Sequence, residues 1–363
     1  MRVIVDIGHP AHVHFFKNFI WEMRKRGHAI LITASKKEIT LELLKAYNFN
    51  YIFSCKRYGG VGFAYELMKR DAQMFNLARR FKPDVITGIN NTIAAHISRV
   101  TRAKSIIFTD TEHAKIANMV TFPFADVICT PSCFKKNFDK KQIRYNGYHE
   151  LAYLHPNYFR PDPSVLGELG LKRSDKFVIL RFVAWQASHD IGQHGFDMEA
   201  KRKLVKELEK YAQVFITSES SVPEEFEEHR ITLPPEKIHD LLYYATMYIG
   251  EGATMATEAA ILGTPSIYVS SLWDSMGNFH ELEERYGLVL NFKEPEPAIN
   301  RVTELLKQQN VKQDWAEKRQ KLLSDKIDVT QFMVELVDSY PESFRKMKEG
   351  GLSAAGMGKT EVK

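Results

Sequence analysis

The sequence predicts an α/β protein made of two doubly wound parallel-sheet domains that face a cleft. Three observations lead there. Short β-branched runs alternate with longer amphipathic stretches from residue 2 to about 110, the mark of parallel strands joined by crossover helices. The alternation fades between 146 and 175, where Pro156, Pro161 and Pro163 gather and break regular elements, and it restarts at 177. The 363 residues exceed what one core usually holds, so two domains fit the length.

The first half reads as strand 2–6, loop 7–12, and a helix carrying Phe15, Phe16, Phe19, Ile20 and Met23 that Gly27 stops. Strand 29–33, helix 37–47, strand 51–54, helix 62–81, strand 84–88, helix 92–101 and strand 105–109 follow. The second half reads as strand 177–182, helix 197–211, strand 214–217, helix 238–244, strand 247–250, helix 254–262 and strand 266–269. Beyond Pro297 the chain turns mainly helical. The expected domains are 1–160 and 161–328, then a helical segment 329–349 and a small, polar, disordered tail 350–363. Phe332, Met333, Leu336, Val337, Tyr340 and Phe344 form an apolar stripe at helical spacing, which Pro341 should divide near Tyr340. Phe344 and its neighbours are expected to return to the first domain and bridge the halves.

Composition narrows the function. Hydrophobic residues make up 44% and charged residues 26%, as in ordinary globular proteins. The net charge of +5 comes without any Lys/Arg block, so nucleic acid is not an expected partner, whereas an anionic small ligand or an acidic membrane surface fits. Cys55, Cys129 and Cys133 form no CxxC pair and suit free thiols in a reducing cytoplasm. No signal-peptide layout and no run of about 18 apolar residues occurs, so a cytoplasmic protein is expected. The glycine-rich stretch 57–65, with Lys56, Arg57, Tyr58, Phe63 and Tyr65, suits peripheral contact with the inner face of a membrane.

The most informative stretch runs from Met247 to Pro265 (MYIGEGATMATEAAILGTP). A strand ends at Gly250, a small-residue loop follows, and Thr254 opens a helix. Such a helix starts at the carboxyl end of a parallel strand, where doubly wound sheets bind ligands, and its free N–H groups suit a phosphate or diphosphate. Gly252 and Ala253 permit close approach of the backbone to the ligand. Glu258 lies one turn beyond Thr254 on the same face, where a carboxylate can accept both hydroxyls of a ribose. Any βα turn also shows glycines and a capping threonine, so the glycines alone do not decide.

The full string resembles the donor signature of GT-B glycosyltransferases, as in the peptidoglycan N-acetylglucosaminyltransferase, and the matching stretch of the non-hydrolysing UDP-N-acetylglucosamine 2-epimerases. To about residue 345 the chain resembles a family of archaeal and bacterial predicted glycosyltransferases. The resemblance implies a GT-B fold with two Rossmann-like halves, a nucleotide-sugar held mainly by the second, and no cofactor, since the nucleotide-sugar is a substrate. It places Glu258 on the ribose and Gly252, Ala253 and Thr254 on the diphosphate. A looser match puts Asn278, His280 and Glu281 on the donor sugar.

His9, His12 and His14 follow the first strand. Neutral imidazole suits a general base near pH 7, and inverting enzymes of this fold often place one in this loop. His12 ranks first and His9 second, while His14 falls inside the helix. Capping or core packing suits each histidine as well. No carboxylate stands in the loop, and no metal is expected. After strand 105–109 comes Asp110-Thr-Glu112-His113. Asp110 is expected to orient His12, and Glu112 and His113 resemble an epimerase segment that carries a catalytic acid. Asp110 as a helix N-cap with Glu112 in the first turn explains them equally. Arg181, ending strand 177–182, suits the diphosphate, and His189 in the loop 185–190 suits the donor. The epimerases carry T-x-H-R-R-E-N there, whereas this chain has Ser188-His189-Asp190-Ile191-Gly192.

These readings order three functions. The first is an inverting glycosyltransferase moving a sugar, UDP-linked by preference, to a hydroxyl acceptor. A nucleotide-sugar epimerase or hydrolase comes second, and a non-catalytic nucleotide-sugar sensor third.

Overall fold

The computed structural model describes residues 1–56, 63–112, 114–183, 195–218 and 222–349. The chain divides into two compact units, Met1–Tyr158 with Asp325–Lys363, and Phe159–Ser324.

In chain order the first stretch runs β1 (Arg2–Ile7), α1 (Pro10–Lys25), β2 (Ala29–Lys36), α2 (Thr40–Ala46), β3 (Ile52–Lys56), α3 (Phe63–Phe81), β4 (Val85–Ile89), α4 (Thr92–Val100), β5 (Lys104–Phe108), α5 (Lys115–Thr121), β6 (Val127–Pro131), β7 (Gln142–Tyr145) and α6 (Leu151–Leu154). The second unit runs α7 (Ser164–Glu168), β8 (Phe177–Phe182), α8 (Met198–Leu208), β9 (Gln213–Ser218), α9 (Ile238–Tyr244), β10 (Met247–Gly250), α10 (Ala253–Leu262), β11 (Ser266–Val269), α11 (Gly277–His280), β12 (Val289–Phe292), α12 (Pro295–Leu306) and α13 (Val311–Asp325). Helices α14 (Val329–Asp338) and α15 (Glu342–Glu349) close the described chain.

Both sheets are parallel. The first has the order β3-β2-β1-β4-β5-β6-β7 and the second β12-β11-β10-β8-β9. Helices on the faces of a parallel sheet bury its strands, which is why β1, β4, β8 and β10 read as continuous apolar runs. In the first sheet the winding reverses between β1 and β4, and in the second between β8 and β10. Ligands of doubly wound sheets bind beyond the carboxyl ends of such strands. Those ends carry the loops after Ile7 and Ile89 in the first unit, and after Phe182 and Gly250 in the second.

The expected strands and helices are present, with shifted ends. β2 runs on to Lys36, so α2 begins at Thr40 and not at 37. Asp197 is the N-cap of α8, accepting from Ala200 N–H at 2.8 Å. Three strands escaped the sequence reading: β6, β7 and β12, each of only four or five residues. Gly27 stops α1 as expected, with φ of +80°, and Gly263 stops α10 in the same way, with φ of +75°.

α14 packs on α1 and α6 within the first unit. Thr330 Oγ1 and Asn18 Nδ2 both donate to Ala152 O, at 2.7 and 2.8 Å. Phe332 packs against the Tyr145 ring, and Arg26 and His28 meet the Asp338 carboxylate. The helical path is broken around Tyr340–Pro341, between α14 and α15.

In the second unit α13 is anchored through Lys312. Its ammonium donates to Tyr243 O at 2.6 Å, Ala245 O at 2.7 Å and Thr264 Oγ1 at 2.7 Å, capping the carbonyl end of α9. Burial pulls this ammonium down to about 7. The unfolded chain therefore holds one more proton between about pH 7 and the usual lysine range near 10.5. The stability contribution is full above that range and is lost as the pH falls through 7. Lys312→Met is expected to flatten the rise of the denaturation midpoint of the full chain between pH 7 and 9. An unchanged slope would place the titration elsewhere.

Candidate functional sites at the two switch points

In the first unit the switch point opens into a cavity of about 260 Å³ lined by Asp6, Gly8, His12, Glu66, Arg70, Asn90 and Asn91, among others. Asp6 is the penultimate residue of β1 and is only 2% exposed. Its carboxylate accepts from Thr33 Oγ1 at 2.6 Å, Asn91 Nδ2 at 2.8 Å and Arg70 NH2 at 3.1 Å. Arg70 also reaches Glu66, itself buried, at 3.5 Å. One guanidinium thus serves two buried carboxylates, which is the condition for carrying them away from water. Asn91 caps α4, its Oδ1 accepting from Ala94 N–H at 2.9 Å. Gly88 is required just before it, because a Cβ there would stand 2.4 Å from Asn91 Nδ2.

The three histidines have different fates. His9 is the N-cap of α1, Nδ1 accepting from Ala11 N–H at 3.2 Å, with Glu38 at 3.7 Å from its other nitrogen. His14 is buried, 3.2 Å from Tyr47 OH and stacked on Tyr153. His12 lines the cavity, and its Nδ1 accepts from Gly8 N–H at 3.3 Å. In that geometry the neutral ring carries its proton on Nε2. Acting as a base through Nε2 requires the other tautomer, which gives up one long hydrogen bond worth about 1 kcal/mol.

Asp110 does not orient His12. Its Oδ2 stands 3.2 Å from His149 Nδ1, and Thr111 Oγ1 donates to its other oxygen. The carboxylate–imidazole pair expected at His12 is thus built with a histidine the sequence did not single out, 39 residues further on. His149 lies between the rings of Phe15 and Tyr145, and its Nε2 is buried with no hydrogen-bond partner among the described residues. Burial holds its imidazole below the usual range against the pull of Asp110, so it is neutral at pH 7. The imidazole is closed from solvent while the Asp110 side chain is 24% exposed, and neither lines the cavity. Neither acid takes the N-cap role either, since Ala114 precedes α5. Glu112 is buried and accepts from Lys135 N–H at 3.1 Å. His113 lies outside the described residues.

In the second unit Arg181 and the start of α10 share the carboxyl edge. Gly252 is the N-cap of α10 and offers no side-chain cap, so the first N–H groups, those of Ala253 and Thr254, have no side-chain partner among the described residues. Arg181 dictates the first glycine through its backbone and crowds the second through its side chain. A Cβ on Gly250 would stand 2.6 Å from Arg181 O, and one on Gly252 3.0 Å from Arg181 Cγ. The guanidinium, 3.0 Å from Thr217 Oγ1, is held beside a positively polarised helix end.

Between the glycines stands Glu251, which the sequence reading passed over. It is 3% exposed, and its two oxygens accept from Val183 N–H at 2.9 Å and Phe196 N–H at 2.6 Å. One carboxylate therefore fastens both ends of the segment 184–194, which includes His189 and lies outside the described residues. Gly195 is obligatory beside it, because a Cβ would meet Glu251 Oε1 at 2.0 Å.

Glu258 is not an open carboxylate. It is 5% exposed and lies 2.9 Å from Nε2 of His239, also buried. Any ribose contact would have to share it with that imidazole. Asn278 Oδ1 accepts from Phe279 N–H, and His280 packs on Trp273 with Nε2 on Asp274 O at 3.0 Å. Glu281 lies 3.5 Å from Arg285. All three follow β11 at the same edge, half-buried. Among the described residues, no group of three or more His, Cys, Asp or Glu side chains is gathered for a metal ion, and no helix is long and apolar enough to cross a membrane.

Comparison with known proteins agrees with this architecture. The profile of a family described as "Protein of unknown function (DUF354)" matches residues 1–341. The uncharacterized protein MJ0665 of Methanocaldococcus jannaschii is 27% identical over 280 residues, covering 74% of this chain and 81% of that protein. Three solved structures share the fold. The S. aureus MnaA–UDP co-structure superposes with a TM-score of 0.68 at 8% identity, covering 94% of this chain and 97% of that one. The Neisseria meningitidis UDP-GlcNAc 2-epimerase bound to UDP-GlcNAc gives 0.63 at 13% identity, covering 93% and 100%. The Streptomyces sp. SF2575 glycosyltransferase SsfS6 gives 0.60 at 13% identity, covering 93% and 100%. The fold class is α/β of the GT-B kind.

Proposed function

We propose that this chain, which belongs to the DUF354 family, is an inverting glycosyltransferase that moves a sugar from a nucleotide-sugar, UDP-linked by preference, to a hydroxyl acceptor. The observation that carries the reading is the pairing of Arg181 with the start of α10, whose N-cap Gly252 supplies no side-chain cap, with glycine enforced at 250. That pair presents a guanidinium and backbone N–H groups to one diphosphate. In the reaction the acceptor oxygen bonds to the anomeric carbon as the carbon–phosphate oxygen bond breaks. The nucleoside diphosphate leaves with its charge held by Arg181 and the helix start. His12 of the first unit takes the acceptor's proton. The alternative, epimerisation of the nucleotide-sugar, relies on acids at Asp110 and Glu112. Asp110 is engaged by His149 and Glu112 is buried on a backbone N–H, which favours transfer.

Arg181→Ala is expected to weaken UDP binding by about 1.5–3 kcal/mol, the size of a lost charge-assisted hydrogen bond. Glu258→Gln, which keeps an acceptor for His239, should weaken it through the ribose with less harm to folding than Glu258→Ala. Calorimetry with UDP on the folded variants checks both. Unchanged affinity in Arg181→Ala would remove the diphosphate assignment.

We also assign the first unit a peripheral contact with an anionic membrane surface. Every large apolar side chain exposed among the described residues lies in that unit. Tyr65 and Met68 of α3, and Ile116 and Met119 of α5, are 62–69% exposed on the helix turns that line the cavity, with Lys69 and Lys115 exposed beside them. The glycine-rich stretch 57–62 that first suggested this lies outside the described residues. Flotation with anionic liposomes is expected at low salt and should fade as salt rises. Absence of flotation at low salt would remove the contact.

A further inference from the structure

We propose that the cavity of the first unit takes a hydroxyl of an uncharged sugar or cyclitol ring, with Asn90 Oδ1 accepting from it. This rests on the reading of that cavity as the acceptor's place and names the class of group it admits.

Asn90 carries two separate costs. It follows β4 with φ of +44°, in the left-handed region that favours glycine. Its backbone N–H donates to Phe108 O at 2.9 Å, so the strained residue is fixed to the neighbouring strand. Its Oδ1 is buried with no hydrogen-bond partner among the described residues. Glycine would relieve the first cost and abolish the second. A residue that is unfavourable twice over, at a switch point and lining a cavity, fits a role toward a ligand better than a role in the fold.

The chemistry of the lining selects the group. Asp6 and Glu66 set two negative charges against the one positive charge of Arg70, and Asn90 adds an acceptor. A phosphate or carboxylate would meet a net negative wall. An ammonium would meet the N–H groups of Arg70 not used on Asp6 and Glu66. A hydroxyl answers both sides, accepting from Arg70 while donating to Asn90. The volume of about 260 Å³ falls below the ~300–1,000 Å³ of sites for drug-sized ligands, so one ring fits and an oligosaccharide does not.

Saturation-transfer NMR on the full chain tests this with methyl glucoside and myo-inositol, against glucose 6-phosphate and glucosamine. The neutral polyols are expected to show saturable binding and the charged analogues weaker binding. Asn90→Gly should weaken the polyols by about tenfold or more, the fold-change of one lost hydrogen bond, while the thermal midpoint holds or rises. Asn90→Asp, which keeps an acceptor, should retain them. Tighter binding of either charged analogue overturns the proposal, as does Asn90→Gly binding like the parent or the absence of saturable binding by any neutral polyol. UDP affinity and sugar transfer are measured separately. Polyol binding without transfer would sink the transferase reading and leave this one standing, and transfer with an indifferent Asn90→Gly would do the reverse.

Discussion

Arg70→Ala is expected to destabilise the first unit by about 3–5 kcal/mol, the cost of leaving buried charge without its partner. Asp6 and Glu66 are 2% and 5% exposed, and Arg70 is the cation that reaches both. Losing it also removes one of the three donors on Asp6, leaving Thr33 and Asn91 to hold a charged group. Arg70→Lys should recover part of the loss, since a single ammonium cannot serve two carboxylates with the geometry of a guanidinium. Denaturant titration of the full chain, followed by a probe in the first unit, measures it. A loss below about 1 kcal/mol, the scale of an exposed ion pair, would show that the carboxylates find other support.

The second large effect is on turnover. His12→Ala is expected to lower kcat by about 10²- to 10⁴-fold, the usual span of a general-base contribution, with donor affinity nearly intact. The histidine lines the first unit's cavity, whereas the diphosphate elements belong to the second unit. His9→Ala should act differently. It removes the N-cap of α1, which costs about 0.5–2 kcal/mol of stability, and leaves the chemistry in place. Full activity in His12→Ala together with an inactive, folded His9→Ala would transfer the base to His9.

The sequence made some of this legible and hid the rest for physical reasons. The βα alternation was readable because each buried parallel strand is a compact apolar run, and the Gly250–Pro265 string because its chemistry is contiguous. β6, β7 and β12 were not: they are no shorter than β10 and β11, but β7 (QIRY) and β12 (VLNF) carry polar residues that interrupt the apolar run, and β6 ends in Thr130-Pro131. The site residues that escaped notice are those defined by distant partners. Asp6 means little until Arg70, 64 positions away, folds onto it. Glu251 reads as a spacer between two glycines until Val183 and Phe196 donate to it. The pairing of Asp110 was misjudged for the same reason: His12 and His149 are equally plausible imidazoles in a string of letters, and only the packing of β5 beside β6 and β7 selects the second. A signal did exist for Asn90, in the Asn-Asn pair at the end of a predicted strand, since asparagine tolerates the left-handed region better than most residues.

The discontinuity of the first unit sets a timetable for biosynthesis. Its sheet is complete once Tyr145 has been made, yet the surface of α1 and α6 that receives α14 stays uncovered until the whole second unit has been translated. At ~5–20 residues per second that interval is on the order of ten seconds to half a minute. During it the nascent chain presents the places of Phe332, Met333, Leu336 and Val337, all buried in the finished protein, as open apolar surface. The second unit, continuous in the chain, can fold as it emerges. A stalled nascent chain that has emerged from the ribosome to about residue 324 should therefore carry a protease-resistant second unit beside a first unit that chaperones still bind, and emergence past Asp338 should end that binding.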